Sequence, residues 1–141
     1  MKRITVLLAE DNNVVRRELR NIIELEKELD VVGEATNGMQ AITLVKKLDP
    51  DVVLMDIAMP VLNGLQATRQ ILKISPATKV LMLSAHIDEV YVEEAMDSGA
   101  MGYLIKHTST LNLCSAIREV QKGNTFFSPS IGNHLRKRKR K

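Results

Sequence analysis

Five short runs of apolar and β-branched residues recur along the chain, and this recurrence restricts the fold more than any other feature. The runs cover residues 4–8, 31–35, 52–55, 80–83 and 103–105. Each is followed by a stretch in which apolar residues recur at steps of three and four, as on one face of a helix. Helix-stopping pairs such as Asp49-Pro50 and Lys122-Gly123 stand near the ends of these stretches. The pattern predicts a strand followed by a helix, repeated five times.

The five predicted strands are almost wholly apolar, which indicates burial on both faces. Strands of this kind belong to parallel sheets that are covered by helices on each side. Right-handed crossovers then favour a doubly wound, five-stranded parallel sheet, a flavodoxin-like (βα)5 fold in the α/β class. We expect residues 1–123 to form this domain, and residues 124–141 to form a linker and a basic tail that is disordered at its end.

The net charge is unevenly distributed between the predicted domain and its tail. The chain of 141 residues has 20 Lys and Arg against 17 Asp and Glu, a net charge of +3. Six of the basic residues occupy positions 136–141, so the first 135 residues hold 14 basic and 17 acidic groups and carry −3. A block of like charges repels itself and is usually solvated. The alternative is weak contact with nucleic-acid phosphates, which would be independent of base sequence.

Neither a membrane segment nor a disulfide framework is expected. No apolar run approaches the roughly 20 residues that span a bilayer, and the run after Met1 is too short for a signal peptide. The single cysteine, Cys114, excludes an internal disulfide, is expected in the core, and fits a cytoplasmic location. The three histidines have no metal-ligand spacing. No glycine-rich phosphate loop is present, which disfavours nucleotide cofactors.

Polar residues follow four of the predicted strands at the point where each strand ends. Glu10 and Asp11 follow the first strand, Asp56 the third, Ser84 the fourth and Lys106 the fifth. The carboxyl ends of parallel strands share one edge of the sheet, where ligands bind. Three carboxylates without thiolate or imidazole suit a hard cation, best Mg²⁺. Together with a hydroxyl and an ammonium group, they provide what phosphoryl transfer to a carboxylate needs.

These strand-end stretches resemble the receiver (CheY-like) domains of two-component response regulators, over about residues 3–122. The matching stretches are Leu8-Ala9-Glu10-Asp11-Asn12, Asp56-Ile57-Ala58-Met59-Pro60 with Asn63-Gly64, Leu83-Ser84-Ala85-His86, and Gly102-Tyr103-Leu104-Ile105-Lys106. The Ser-Ala-His triplet and the Phe-Phe-Ser-Pro-Ser-Ile segment resemble the NarL/FixJ (LuxR-type) subfamily, whose members carry a C-terminal helix-turn-helix domain that binds DNA. This chain ends before such a domain, so a stand-alone receiver and a piece ending in the interdomain linker both stay open.

The resemblance implies that Asp56 accepts a phosphoryl group from a sensor histidine kinase or from acetyl phosphate. Asp11 would bind Mg²⁺ directly and Glu10 would assist, often through water. The backbone carbonyl of Ala58 would be a further ligand, beside Asp56 itself. The protein would catalyse only its own phosphorylation and dephosphorylation, and is in that sense not an enzyme.

The resemblance also implies a switch. Ser84 and Lys106 would hold phosphoryl oxygens, and the Tyr103 ring would swing into the space that Ser84 leaves. This change would act on the face formed by the fourth helix, fifth strand and fifth helix, and would control a DNA-binding transcriptional output. We also expect a homodimer that phosphorylation promotes. We expect no contact between the protein and a membrane.

Simpler interpretations exist for single residues and for the whole. Asp11 could merely cap the first helix, Asp56 could only form a turn, and Lys106 could be an exposed surface lysine. The chain could instead be an aspartyl phosphatase, although Ala58 stands where such enzymes usually carry a second Asp for acid–base work. It could also be an interaction module that works without phosphorylation.

Overall fold

A computed structural model describes residues 2–85, 89–106 and 110–128, without the side chains of Glu89, Thr110 and Leu111. His86, His107, His134 and the basic tail at 136–141 lie outside these residues, so the expectations made for them are not tested. The elements are β1 (Ile4–Ala9), α1 (Asn13–Glu24), β2 (Leu29–Ala35), α2 (Gly38–Leu48), β3 (Val52–Asp56), α3 (Gly64–Ile74), β4 (Lys79–Ser84), α4 (Glu89–Asp97), β5 (Gly102–Ile105), α5 (Thr110–Gln121) and β6 (Phe126–Phe127).

All strands pair in parallel in a single sheet of order β2-β1-β3-β4-β5-β6. The first five strands confirm the predicted doubly wound (βα)5 fold. Since β1 lies between β2 and β3, the direction of winding reverses there. In open α/β sheets this reversal creates a crevice at the carboxyl ends of the strands.

The helices cover the two faces of the sheet and enclose two apolar cores. On one face, α1 and α5 contribute Leu19, Ile23, Cys114 and Ile117. On the other face lie α2, α3 and α4, and this core includes Tyr103. Cys114 is a buried free thiol, as expected. Within the described part of the chain, no helix is long and apolar enough to cross a membrane.

Three helices begin at an asparagine that follows the carboxyl end of a strand or its loop. Asn12 accepts hydrogen bonds from the first turn of α1, Asn37 caps α2, and Asn63 caps α3 in a capping box with Gln66. Such caps satisfy backbone N–H groups that the helix itself leaves unpaired. They place the first turns of α1 and α3 beside the carboxyl-terminal edge of the sheet.

The sheet has a sixth strand, not predicted from the sequence, at the start of the expected linker. The Phe126 N–H donates to the Met101 carbonyl at 3.1 Å, and the Ser128 N–H donates to the Tyr103 carbonyl at 3.1 Å. The Ile105 N–H donates to the Ser128 hydroxyl, also at 3.1 Å. A Cβ at Gly102 would lie 2.2 Å from the Phe126 carbonyl oxygen, so only glycine allows this close approach.

Candidate functional site

Strand register brings Glu10 and Asp56 to the same level of the crevice. Ala9 on β1 pairs with Met55 on β3, so Glu10, which follows β1, and Asp56, the last residue of β3, reach the edge side by side. Both carboxyl side chains are almost fully buried, each residue being 1% exposed. Asp11, one residue further on, is exposed. One carboxylate oxygen from each of these three residues lies within 4.8 Å of the other two.

Asp11 does not cap α1, because Asn12 does. The Asn12 side chain accepts from the N–H groups of Val14 and Val15 at 2.9 and 3.0 Å. The simpler interpretation of Asp11 as a helix cap is therefore wrong, and its carboxylate is available to a ligand at the crevice. Glu10 is fixed in part by the Asn12 backbone, whose N–H donates to Glu10 Oε2 at 3.1 Å.

Lys106 lies inside this cluster of carboxylates. Its Nζ is 2.9 Å from Glu10 Oε1 and 3.3 Å from Asp56 Oδ2, and its side chain is only 18% exposed. The backbone N–H of Lys106 donates to the Ser84 carbonyl at 2.8 Å, which ties the end of β5 to the end of β4. The interpretation of Lys106 as an exposed surface lysine is wrong.

The charges of the site shift the ionisation of two groups. Burial, followed by the negative charge of Glu10, raises the pKa of Asp56 from 3.8 to about 7, and Lys106 offsets part of this rise. Burial alone would lower the pKa of Lys106, but its close pairing with the carboxylates of Glu10 and Asp56 raises it above its ordinary value. The cluster therefore lacks positive charge.

Ser84 and Ala58 complete the wall of an open cavity next to Asp56. Ser84 is buried at the end of β4, and the cavity of about 550 Å³ is lined by Asp56, Ala58, Ser84 and Lys106 together with residues of α4. The Ala58 N–H donates to Asp56 Oδ1 at 3.2 Å. Asp56 thus does help to form a turn, as the simpler interpretation expected, but its second oxygen faces Lys106. The roles assigned to these residues stay predictions.

Tyr103 lies away from the cavity, with its ring completely buried. It belongs to the core that also contains Val92 and Ala95 of α4. Its strand, β5, is paired on both sides: Tyr103 lies opposite Met82 of β4 and opposite Phe127 of β6. The ring therefore lies in the same buried core as α4, one of the elements that the switch hypothesis invokes, and the swing itself stays a prediction.

Three further residues shape the site, and none of them was given a role from the sequence. A Cβ at Gly64 would lie 2.2 Å from the Asp56 carbonyl oxygen, so glycine lets α3 begin directly against the end of β3. Val61 has a φ of +70°, and the Leu62 N–H donates to the Pro60 carbonyl across it at 2.7 Å. Arg16 donates to the Glu10 backbone carbonyl. The Asn63-Gly64 pair is a sequence signal for Gly64, whereas nothing in the local sequence marks Val61 or Arg16.

The residues present fit a divalent cation. Glu10 Oε1 and Asp56 Oδ2 are buried, and within the described residues neither accepts a hydrogen bond of good geometry; the Lys106 ammonium contacts both as an ion pair. Three clustered carboxylates against one ammonium leave negative charge that a cation would neutralise. Oxygen donors of this type suit a hard ion such as Mg²⁺.

Comparison with known proteins gives a consistent result. The family described as "Response regulator receiver domain" matches residues 6–118. The transcriptional regulatory protein DegU of Brevibacillus brevis is 37% identical over 139 residues, which are 99% of this chain and 59% of DegU. The response regulator protein VraR of Staphylococcus aureus is 36% identical over 138 residues, 98% of this chain and 66% of VraR. The chain thus spans about three fifths to two thirds of the length of these curated relatives.

Solved structures agree in fold. A two-component response regulator of the LuxR family from Aurantimonas sp. SI85-9A1 superposes with a TM-score of 0.94 at 28% identity, covering 99% of this chain and 100% of that one. The signal receiver domain of the putative response regulator NarL from Mycobacterium tuberculosis superposes with a TM-score of 0.85 at 31% identity, covering 88% of this chain and 100% of that one.

Proposed function

Because the chain belongs to the family of response regulator receiver domains, we propose that Asp56 is its phospho-acceptor and that phosphorylation controls a transcriptional output. The observation that carries the proposal is the position of Asp56, buried at the end of β3 with one oxygen 3.3 Å from the Lys106 ammonium and an open cavity beside it. A buried carboxylate in this setting is costly to keep for structural reasons alone.

The proposed reaction needs little more than a positioned carboxylate. An Asp56 oxygen attacks phosphorus, a new O–P bond forms, and the bond from phosphorus to the donor's leaving group breaks. That leaving group is the acetate of acetyl phosphate or the imidazole of a kinase phosphohistidine, and it departs with the electron pair. The nucleophile is an ionised carboxylate and gives up no proton, so the site needs no general base.

Mg²⁺ would be held by the carboxylates of Asp11 and Asp56 and by the Ala58 carbonyl, with Glu10 assisting. Bound there, it would offset the charge of the phosphoryl oxygens and of the cluster. It would also lower the pKa of Asp56, since a cation favours the ionised form. When ionised, the three carboxylates exceed the one ammonium by two negative charges, which a divalent cation would neutralise.

Lys106 and Ser84 would hold the phosphoryl oxygens of the product. The Lys106 ammonium already contacts Asp56, so it is in reach of a group that is attached there. Movement of Ser84 toward that group would change the packing of Tyr103 between α4 and β6. The output surface in this proposal is formed by α4, β5 and α5.

The remaining parts of the proposal concern partners. DegU is called a transcriptional regulatory protein and is longer than this chain, which supports a DNA-binding output domain as the element controlled. A sensor histidine kinase is the proposed phosphoryl donor. A phosphorylation-promoted homodimer is a further part of this proposal, and direct DNA contact through residues 136–141 would be weak and sensitive to salt.

The test is intact-mass spectrometry after incubation with acetyl phosphate and Mg²⁺. We expect one added phosphoryl group in the natural protein, none in Asp56→Ala, and one in Asp97→Ala, which removes an exposed carboxylate on α4. An adduct that survives in Asp56→Ala, or no adduct in the natural protein, would refute the proposal. Stable binding of beryllofluoride to the natural protein gives an independent readout of the same site.

We do not extend the proposal to turnover of added substrates. A phosphatase with an aspartyl nucleophile would need an acid–base group near Ala58, and this residue offers none. Steady release of phosphate from an added phosphomonoester would favour that enzyme instead. An interaction module that works without phosphorylation predicts no Mg²⁺ binding, which calorimetry measures directly.

A further inference from the structure

We infer that Arg16 is a positioning residue for the metal-binding loop at Glu10 and Asp11, acting through the backbone carbonyl between them. This inference rests on the proposed Mg²⁺ site. Arg16 is the fourth residue of α1, at the end of its first turn, and no motif of the sequence distinguishes it from Arg17 beside it.

The Arg16 guanidinium joins three different segments. Its Nη1 donates to the Glu10 carbonyl at 2.8 Å, its Nε to Glu34 Oε1 at 2.9 Å, and its Nη2 to Asn13 Oδ1 at 2.6 Å. These acceptors lie at the end of β1, on β2 and at the start of α1. The side chain is 15% exposed, so it is held in place rather than free in solvent.

The contacted carbonyl belongs to the peptide group that leads into Asp11. Glu10 is fixed at its side chain by Lys106 and by the Asn12 N–H, whereas Asp11 is exposed and depends on its backbone for direction. A guanidinium fork holds a carbonyl and a carboxylate at fixed angles, which an ammonium group cannot do. Arg16 therefore limits rotation of the peptide that aims the Asp11 carboxylate at the cluster.

Charge and positioning predict opposite effects of removing this side chain. By Coulomb's law alone, loss of a positive group near the site should strengthen binding of a cation. If Arg16 acts by orienting the loop, its loss should weaken binding. Outer groups that orient metal ligands typically change metal affinity by about 10- to 100-fold. We expect the lower end, about tenfold, because Glu10 retains its other contacts.

Arg20 supplies a matched control. It pairs with the other oxygen of Glu34 and with Glu24, one turn further along α1, and its hydrogen bonds do not run to the Glu10 carbonyl. Arg20→Met removes the same charge and a similar ion pair with Glu34. The contact with the Glu10 carbonyl is lost in Arg16→Met and kept in Arg20→Met; the other bonds that differ, Arg16 to Asn13 and Arg20 to Glu24, lie within α1.

The experiment is calorimetric titration of the whole chain with MgCl₂, without any phosphoryl donor. We expect about tenfold weaker Mg²⁺ binding in Arg16→Met, a partial recovery in Arg16→Lys, and unchanged binding in Arg20→Met. In Mg²⁺-free protein, hydrogen exchange at the Asp11 and Asn12 amides should be faster in Arg16→Met alone. With acetyl phosphate, the Mg²⁺ concentration for half-maximal rate should rise while the rate at saturating Mg²⁺ is kept.

Three results would overturn the inference. Mg²⁺ binding that is equal or tighter in Arg16→Met would show that the residue does not position the metal ligands. An equal loss in Arg16→Met and Arg20→Met would assign the effect to Glu34 instead. If the natural protein binds no Mg²⁺ at all, the proposed function fails and this inference fails with it, which the titration of the natural protein distinguishes from the other two results.

Discussion

Replacement of Asp56 by asparagine should stabilise the protein at alkaline pH when Mg²⁺ is absent. Asp56 is buried beside Glu10, and these two effects raise its pKa from 3.8 to about 7, although Lys106 partly opposes them. The folded state therefore binds a proton at Asp56 more tightly than the unfolded chain does. Stability that is present below pH 4 is lost as the pH rises through 7, since ionisation then costs more in the folded state.

The size of this loss follows from the shift. At about 1.4 kcal/mol for each tenfold change in the ionisation constant, a rise from 3.8 to about 7 corresponds to about 4 kcal/mol at most. Asparagine has nearly the same shape and no charge, but it gives up the ion pair with Lys106. We therefore expect Asp56→Asn to be about 2 kcal/mol more stable than the natural protein at pH 8, and nearly equal to it at pH 4.

The assay is thermal or urea unfolding of both proteins from pH 4 to pH 8, in chelator. For a domain of this size, about 2 kcal/mol corresponds to about 8 °C in the unfolding midpoint. Asp97→Asn is the control, because it makes the same chemical change at an exposed site on α4. It should alter stability by about 0.5 kcal/mol or less at every pH.

Added Mg²⁺ provides the second arm of this experiment. At pH 8 it should stabilise the natural protein by mass action and have a smaller effect on Asp56→Asn, which lacks one ligand charge. A difference between the two proteins that stays constant from pH 4 to pH 8 would refute the reasoning, because it would show that Asp56 ionises alike in the folded and unfolded states. A variant that is less stable at pH 8 would refute it too.

The remaining predictions concern a cation, a strained loop and the sixth strand. Lys106→Met leaves two buried carboxylates unpaired and should destabilise the protein by about 3 kcal/mol at pH 8 without Mg²⁺, with part of the loss recovered on adding Mg²⁺, as measured by urea unfolding. Val61→Gly should stabilise by about 1 kcal/mol, because Val61 is 79% exposed and its positive φ suits glycine; an unchanged unfolding midpoint would contradict this. Gly102→Ala should displace β6 and cost about 1–3 kcal/mol, seen as faster hydrogen exchange at the Phe126 and Ser128 amides, and protected amides there would exclude the clash.

Most of the fold could be predicted because each strand and helix carries its own signal. The apolar runs locate β1 to β5 within two residues, since strands buried on both faces need little else. The individual positions on helices were less predictable. Val14 on α1, Leu25 just after it and Met96 on α4 are large apolar residues, yet all three are exposed. Periodicity gives the direction of a helix face, whereas burial depends on how far the neighbouring elements extend.

Strand β6 was not predicted because it has only two residues, too few to show the alternation of apolar and polar side chains that marks a strand. Phe126 and Phe127 follow a glycine-ended helix and precede Ser-Pro, a composition that is as typical of a linker as of a strand. The segment can pair as a strand because Gly102 on β5 has no Cβ, which leaves room for the Phe126 backbone beside it. A short edge strand depends on its partner, so its own sequence is a poor guide.

The sequence was enough to predict which residues meet at the site, but not which carboxylate Lys106 contacts most closely. Parallel strands end at one edge, so the sequence indicated that Glu10, Asp11, Asp56 and Lys106 would meet. Which carboxylate would hold the lysine depends on side-chain length and depth, and the structure gives the shorter contact to Glu10, at 2.9 Å against 3.3 Å for Asp56. Glu10 thereby holds the Lys106 ammonium beside Asp56, but this one ammonium does not neutralise all the carboxylates. The pKa of Asp56 stays raised, and the cluster keeps a net negative charge. An acceptor kept in this condition gains most from the arrival of a cation, which lowers its pKa and makes the ionised, nucleophilic form available.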